Sequence, residues 1–308
     1  MTLCIAFLFS AGAVVAEDND LVYLFSYFTG NGEDGLHFAY SKDGLSWKPV
    51  GGGRSYLTPE AGNQKLMRDP CIHRGPDVVF HMVWTVSWGD TVIGYSSSRD
   101  LIHWSPQRTI PVMAHEPAAR NCWAPELFYD SENTRWLIFW ATTIPGRFPE
   151  TSGSSESDYN HRIYETSTAD FTTFTPTRVF YDHGFNVIDA TIVRDGNRYV
   201  MFLKDETLDP PQKNIRMVTS ENADGPYSAA SEPITGDYWA EGPTAIKIGD
   251  WWIVYFDKYR KGAYGAVRSR DLENWEDISD KVTFPEGIRH GTVFTVEREI
   301  FQRLVAVE

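Results

Sequence analysis

Short runs of β-branched and aromatic residues, bounded by Gly, Asp or Asn, recur along this chain. Val79-Phe80-His81-Met82-Val83-Trp84-Thr85-Val86 and Trp251-Trp252-Ile253-Val254-Tyr255-Phe256 are two of them. Runs of this length and make-up predict strands buried in a sheet. Asp195-Gly196-Asn197, just before Arg198-Tyr199-Val200-Met201-Phe202-Leu203, predicts a tight hairpin. Beyond residue 16 no stretch keeps apolar residues on one helical face for three turns. The pattern is all-β.

A second pattern is laid over the first. A hydroxylated residue, then Asp, then an aromatic recurs in Ser41–Trp47, Ser98–Trp104, Thr168–Phe174 and Ser269–Trp275, and in degenerate form as Asp224-Gly225-Pro226-Tyr227. Successive Asp residues lie 57, 70, 54 and 47 positions apart, room for one four-stranded sheet each. The turns themselves read as structural: a carboxylate bonding its own backbone and an aromatic packing between sheets.

Five further segments read as innermost strands: Arg68–Ile72, Trp123–Phe128, Ile188–Val193, Glu241–Ile246 and His290–Phe294. The last is C-terminal, whereas Leu21–Phe28 and the first Asp-aromatic turn are N-terminal. Joined, they form one composite blade that leaves no open edge. The predicted fold is a five-bladed β-propeller over about residues 20–300, within a single domain 17–308. The Ser- and Gly-rich Thr151–Asp158 becomes a surface loop between two strands.

Charge narrows the partners. The 308 residues carry a formal charge of −14 without a basic run, which argues against nucleic acid or an anionic membrane. A neutral ligand such as a sugar is compatible. Residues 1–16 are apolar and end in small residues, which predicts a signal segment and a secreted or periplasmic protein, although the usual positive n-region is missing. No membrane span is expected, and a monomer is. Cys71 and Cys122 then remain, read as buried, unpaired small hydrophobes.

Inner strands of a propeller all start at one mouth, so Asp69, Glu126, Asp189, Glu241 and His290 should converge there. The second strand returns to that mouth and nominates Trp88; connecting segments add Phe185 and Trp239. Singly, each acid could be a turn or a cap, and Glu126 is read as more structural than catalytic. Several carboxylates converging among aromatic platforms suit glycoside hydrolysis, in which one acid is protonated and another ionised.

The series Asp69-Pro70, Trp123-Ala124-Pro125-Glu126, Ile188-Asp189-Ala190, Glu241-Gly242-Pro243 and Arg289-His290-Gly291-Thr292 resembles that of the family-43 glycoside hydrolases, across nearly the whole chain. The resemblance implies Asp69 as general base, Asp189 as the carboxylate that raises and orients the acid, and Glu241 as general acid. Base and acid should then stand roughly 6.5–9.5 Å apart, with inversion at the anomeric carbon. Trp88, Trp123, Glu126, Phe185, Trp239, Arg289 and His290 are the substrate-binding candidates. Glu126 departs from the Asp common in its motif. Short inserts favour an exo-acting enzyme, and the resemblance implies an α-L-arabinofuranosidase, with β-xylosidase and β-galactosidase or galactofuranosidase as alternatives. Fructan-hydrolysing propellers carry Trp-x-Asn-Asp-Pro and Glu-Cys motifs that this chain lacks. A non-catalytic sugar-binding propeller would need none of the acids. No cofactor is required on this reading; the one metal candidate is a calcium ion in the axial channel near His290.

Overall fold

The computed structural model describes residues 21–307, so the apolar segment 1–16 lies outside the described residues. Five antiparallel sheets surround an axis. Blade I comprises Arg68–Arg74, Phe80–Thr85, Ile93–Ser98 and Arg108–Ile110; blade II comprises Trp123–Asp130, Arg135–Thr143, His161–Thr168 and Arg178–Tyr181. Blade III comprises Val187–Asp195, Arg198–Asp205 and Asn214–Ser220; blade IV comprises Glu241–Ile248, Trp251–Lys258, Ala263–Ser269 and Glu276–Asp277. Blade V is built from both ends of the chain: Thr292–Glu297 is innermost, followed by Leu21–Tyr27, His37–Ser41 and Lys48–Pro49. Leu21 pairs with Glu297 and Ser26 with Thr292, which closes the ring. The Ser26 hydroxyl also donates to the Pro70 carbonyl at 2.7 Å, tying the closure to blade I.

Five buried apolar clusters fill the five blade-to-blade interfaces among the described residues. One joins blade II to blade III through Phe128, Phe139, Tyr199 and Met201. Another joins blade V to blade I through Leu24, Phe38, Met82 and Trp84. The Asp-aromatic turns have the structural role read from their sequence. Asp43 Oδ1 accepts from the backbone N–H groups of Leu45 and Ser46, both at 2.8 Å, and Trp47 is buried in the core between blades IV and V. Asp100, Asp170 and Asp271 repeat the same pair of bonds.

Two features differ from expectation. Blade III has three regular strands, not four. Its Asp-aromatic turn is the degenerate one, and beyond it Ser228, Ser231 and Ile234 donate to Thr219, Met217 and Ile215. Three residues thus advance on one side for every two on the other, which a period-2 ladder cannot accommodate, and Pro233 supplies no donor. The other addition is a nine-residue helix, Arg298–Ala306, that buries Ile300 and Leu304 against blade V. At two and a half turns it falls below the length the periodicity test detects. Thr151–Asp158 lies, as expected, between the second and third strands of blade II. Cys71 and Cys122 are both free and buried. Among the described residues no helix is long and apolar enough to cross a membrane.

Candidate active site

The inner strands enter the sheets through irregularities that re-aim their first side chains. Pairing breaks between Arg68 and Cys71, Trp123 and Glu126, Ile188 and Thr191, and Glu241 and Thr244. Within each break one residue is left-handed: Asp69 (φ 52°), Ala124 (φ 46°), Asp189 (φ 52°) and Gly242 (φ 59°). A left-handed non-glycine residue costs energy and persists only where the surroundings fix it, while a bulge turns a side chain out of the strict alternation. Asp69 and Asp189 therefore occupy the same position in blades I and III. Gly242 takes that position in blade IV, where a Cβ would come 2.4 Å from His290 Cγ.

These turns create one pocket of about 180 Å³ at the mouth. Asp69, Asp189 and Glu241 all line it, together with Trp88, Trp123, Arg289 and His290. Larger hollows on the blade flanks contain none of the three acids.

Asp69 is the most firmly held. Thr85 Oγ1 donates to its Oδ2 at 2.8 Å, and the Ala124 N–H donates in turn to Thr85 Oγ1. His290 Nδ1 lies 3.4 Å from its Oδ1. Burial alone would raise Asp69, but His290 and then Arg68 outweigh it and hold the carboxyl at about 2. His290, desolvated yet facing Asp69, Asp189 and Glu126, is pushed up to about 9 and is an imidazolium at neutral pH. Asp189 accepts from the Gly242 N–H at 3.0 Å; burial, against the pull of His290 and Lys204, raises it to about 6.

Glu241 departs from expectation. Its Oε2 is 3.0 Å from Lys204 Nζ, and its Oε1 accepts from Arg289 at 3.2 Å. Burial raises its pKa, but Lys204 and Arg289 reverse this and hold it below the usual glutamate value. The repulsion expected from Asp189 is thus outweighed by two cations in direct contact.

Three binding candidates do not line the pocket. Glu126 lies two residues beyond the left-handed Ala124 and is therefore one pleat deeper, in the axial channel. It accepts there from Cys71 Sγ (3.4 Å), Thr191 Oγ1 (3.2 Å) and Thr292 Oγ1 (3.4 Å), and burial raises it to about 7. Phe185 packs on the core between blades II and III because Asn186, anchored to Tyr159 and His161, fixes the chain one residue later. Trp239 lies under Arg260 at 4.6 Å, outside the pocket wall.

Lys204, Glu206, Thr85 and Arg68 also line the pocket and were not anticipated. The rule that nominates Trp88, that second strands end at the mouth, would have found Lys204 if applied to blade III. Arg68 is clamped between the Phe28 and Trp88 rings at 4.7 and 4.2 Å. The donor set does not suit the channel cation. His290 Nδ1 faces Asp69 at 3.4 Å, and the Glu126 oxygens are taken by a thiol and two hydroxyls. Among the described residues no group of three or more His, Cys, Asp or Glu is arranged to hold a metal ion.

Residues 18–301 match the family described as "Probable glycosyl hydrolase domain", a family-43-related group. Over 189 residues the chain is 25% identical to an α-L-arabinofuranosidase of Bifidobacterium longum subsp. longum. That match covers 52% of this chain but only 17% of the bifidobacterial enzyme. A thermostable family-43 glycoside hydrolase has a similar fold, with a TM-score of 0.55 at 14% identity over 75% of this chain and 80% of that one. An exo-β-1,3-galactanase from Phanerochaete chrysosporium gives 0.54 at 12% identity, over 75% and 52%. The family match spans all five blades, and the chain belongs to the family-43-related glycoside hydrolases.

Proposed function

We propose that the protein is an inverting, exo-acting glycosidase that releases terminal α-L-arabinofuranose from plant-type polysaccharides or oligosaccharides. The observation that carries this is the convergence of Asp69, Asp189 and Glu241 on one pocket of about 180 Å³. That volume equals roughly six waters, the scale of one sugar ring and not of a polysaccharide chain. The arabinofuranosidase name of the bifidobacterial relative supports the choice of sugar.

In this mechanism Asp69, ionised down to about pH 2, takes a proton from a water on the face opposite the leaving group. Glu241 donates to the departing oxygen. The Asp189–Glu241 pair takes up one proton below about pH 6, held on Asp189 in the empty pocket. Substrate that fills the pocket expels the water solvating Glu241 and favours its neutral form. Asp189 gives up the proton and, fixed by the Gly242 N–H, holds the pair in place. No metal enters these steps, and activity should survive chelation. We place the enzyme outside the cytoplasm, on the apolar residues 1–16.

The test is a screen on 4-nitrophenyl α-L-arabinofuranoside, β-D-xyloside and β-D-galactoside, with NMR of the first anomer released. Arabinofuranoside preference with inversion is expected. Retention would sink the mechanism, and preference for xyloside or galactoside would replace the substrate. No turnover on any glycoside, with binding retained, would indicate a sugar-binding propeller.

A further inference from the structure

Charges of alternating sign run in a string through the pocket wall. Lys213 Nζ pairs with Glu206 Oε1, Glu206 Oε2 is 2.6 Å from Lys204 Nζ, and Lys204 Nζ is 3.0 Å from Glu241 Oε2. Glu241 Oε1 is 3.2 Å from Arg289, whose Nε is 2.6 Å from Asp257. The string crosses three blades, and Lys204 and Lys213 are each 2% exposed. The Lys204 ammonium also lies 4.7 Å over the Tyr259 ring. Buried ions need partners, so each member is fixed by the next.

We propose that Lys204 is the positioning residue for the acid Glu241, and that Glu206 is what allows Glu241 to become neutral. This rests on Glu241 being the general acid. A lone Lys204–Glu241 pair would resist protonation, because the neutral acid would leave a buried ammonium without a partner. Glu206 supplies a second anion, so Lys204 stays paired whichever form Glu241 takes. Lys213 pairs with Glu206 in turn and fixes it in the pocket wall. Lys204 thereby orients Glu241 through Oε2, and Glu206 limits how strongly the ammonium opposes its protonation. The other charged groups facing Glu241 are Arg289 and His290, which oppose its protonation, and Asp189 and Asp257, which favour it when ionised. The Tyr259 phenol, whose pKa burial raises, stays neutral, and none of these is altered in the variants below.

The test compares Lys204→Met, Lys204→Arg and Glu206→Gln in the full chain, measuring kcat/KM against pH on an arabinoside with a poor leaving group. An adjacent charge moves a carboxyl by about 1–3 units. Lys204→Met should move the alkaline limb up by about one pH unit or more, with lowered kcat from lost orientation. Glu206→Gln should move it down, and Lys204→Arg should keep it near wild type. Opposite shifts from two neighbouring substitutions are not produced by a general loss of packing. If all three limbs coincide with wild type, or Met and Gln shift the same way, the assignment is overturned. Thermal melts of each variant identify any that fail to fold; Lys204→Arg and Glu206→Gln, close in shape to the originals, still decide the question. A failure of Glu241 as the acid is read separately. Glu241→Gln would then keep normal turnover on the unactivated substrate, whatever the Lys204 variants do.

Discussion

Replacing Gly242 by Ala tests whether the close approach of blade IV to His290 builds the site. The new Cβ would lie 2.4 Å from His290 Cγ, 2.7 Å from Cδ2 and 2.8 Å from Cβ, at a backbone φ of +59°. The left-handed conformation costs an alanine about 1–2 kcal/mol. Displacing the ring from a packed position adds about 1–3 kcal/mol. The sum, about 2–5 kcal/mol, should lower Tm by roughly 4–10 °C at about 2 °C per kcal/mol for a domain of this size. Chemistry should change as well. Moving His290 away from Asp69 removes the contact that holds the base at about 2, so its pKa rises toward the ordinary aspartate value. A general base is lost as pH falls through its pKa, so the acid limb of kcat/KM should move up by about one unit or more. Wild type should stay flat to pH 3, and the variant should decline below about pH 4. Thermal melts and a pH–rate profile between pH 3 and 8 read both effects. A variant with unchanged Tm and unchanged acid limb would refute the argument that this glycine sets the His290–Asp69 contact.

Asp69→Asn should lower kcat/KM by about 10²–10⁴-fold while substrate binding persists, checked by steady-state kinetics and calorimetric titration with the product sugar. Because Asp189 is raised to about 6, wild-type activity should fall as pH rises through about 6, when the Asp189–Glu241 pair loses its proton; a pH–rate profile checks this. His290 is raised from 6.5 to about 9 in the folded protein, so its stabilisation is complete below about pH 6.5 and lost as pH rises through about 9. That loss is at most on the order of 3 kcal/mol. His290→Gln should flatten the fall in Tm between pH 6.5 and 9.5, and an identical slope in both proteins would contradict it.

The blades were legible because each carries two independent marks, an Asp-aromatic turn and an inner strand with a polar start. Where one mark weakened, at Asp224-Gly225-Pro226-Tyr227, the fourth strand was also missing. Asp69, Asp189, Glu241 and His290 were legible as strand-entry residues. Lys204 was hidden because it closes the apolar run Arg198–Asp205 and reads as a strand's solvent-facing end. Glu126 was placed one pleat too high because the left-handed turn at Ala124 cannot be read from an alanine. Phe185 misled because aromatic connections face the core as readily as the mouth. The depressed pKa of Glu241 depends on Lys204 and Arg289, which come from blade III and the entry to blade V, and no local pattern contains that information.

The composite blade has a consequence for when the enzyme can become active. The Ser26–Thr292 bond joins residues 266 positions apart, and the His290–Asp69 contact joins residues 221 apart in sequence (290 − 69). Contacts of such long range form late, after much loop-closure entropy has been lost. A chain emerging from the ribosome has Asp69, Asp189 and Glu241 before it has the segment that seats His290 against Asp69 and Arg289 against Glu241 and closes the ring. On the proposed mechanism, hydrolytic competence should therefore arrive with the final strand, and a polypeptide interrupted before His290 should show no turnover.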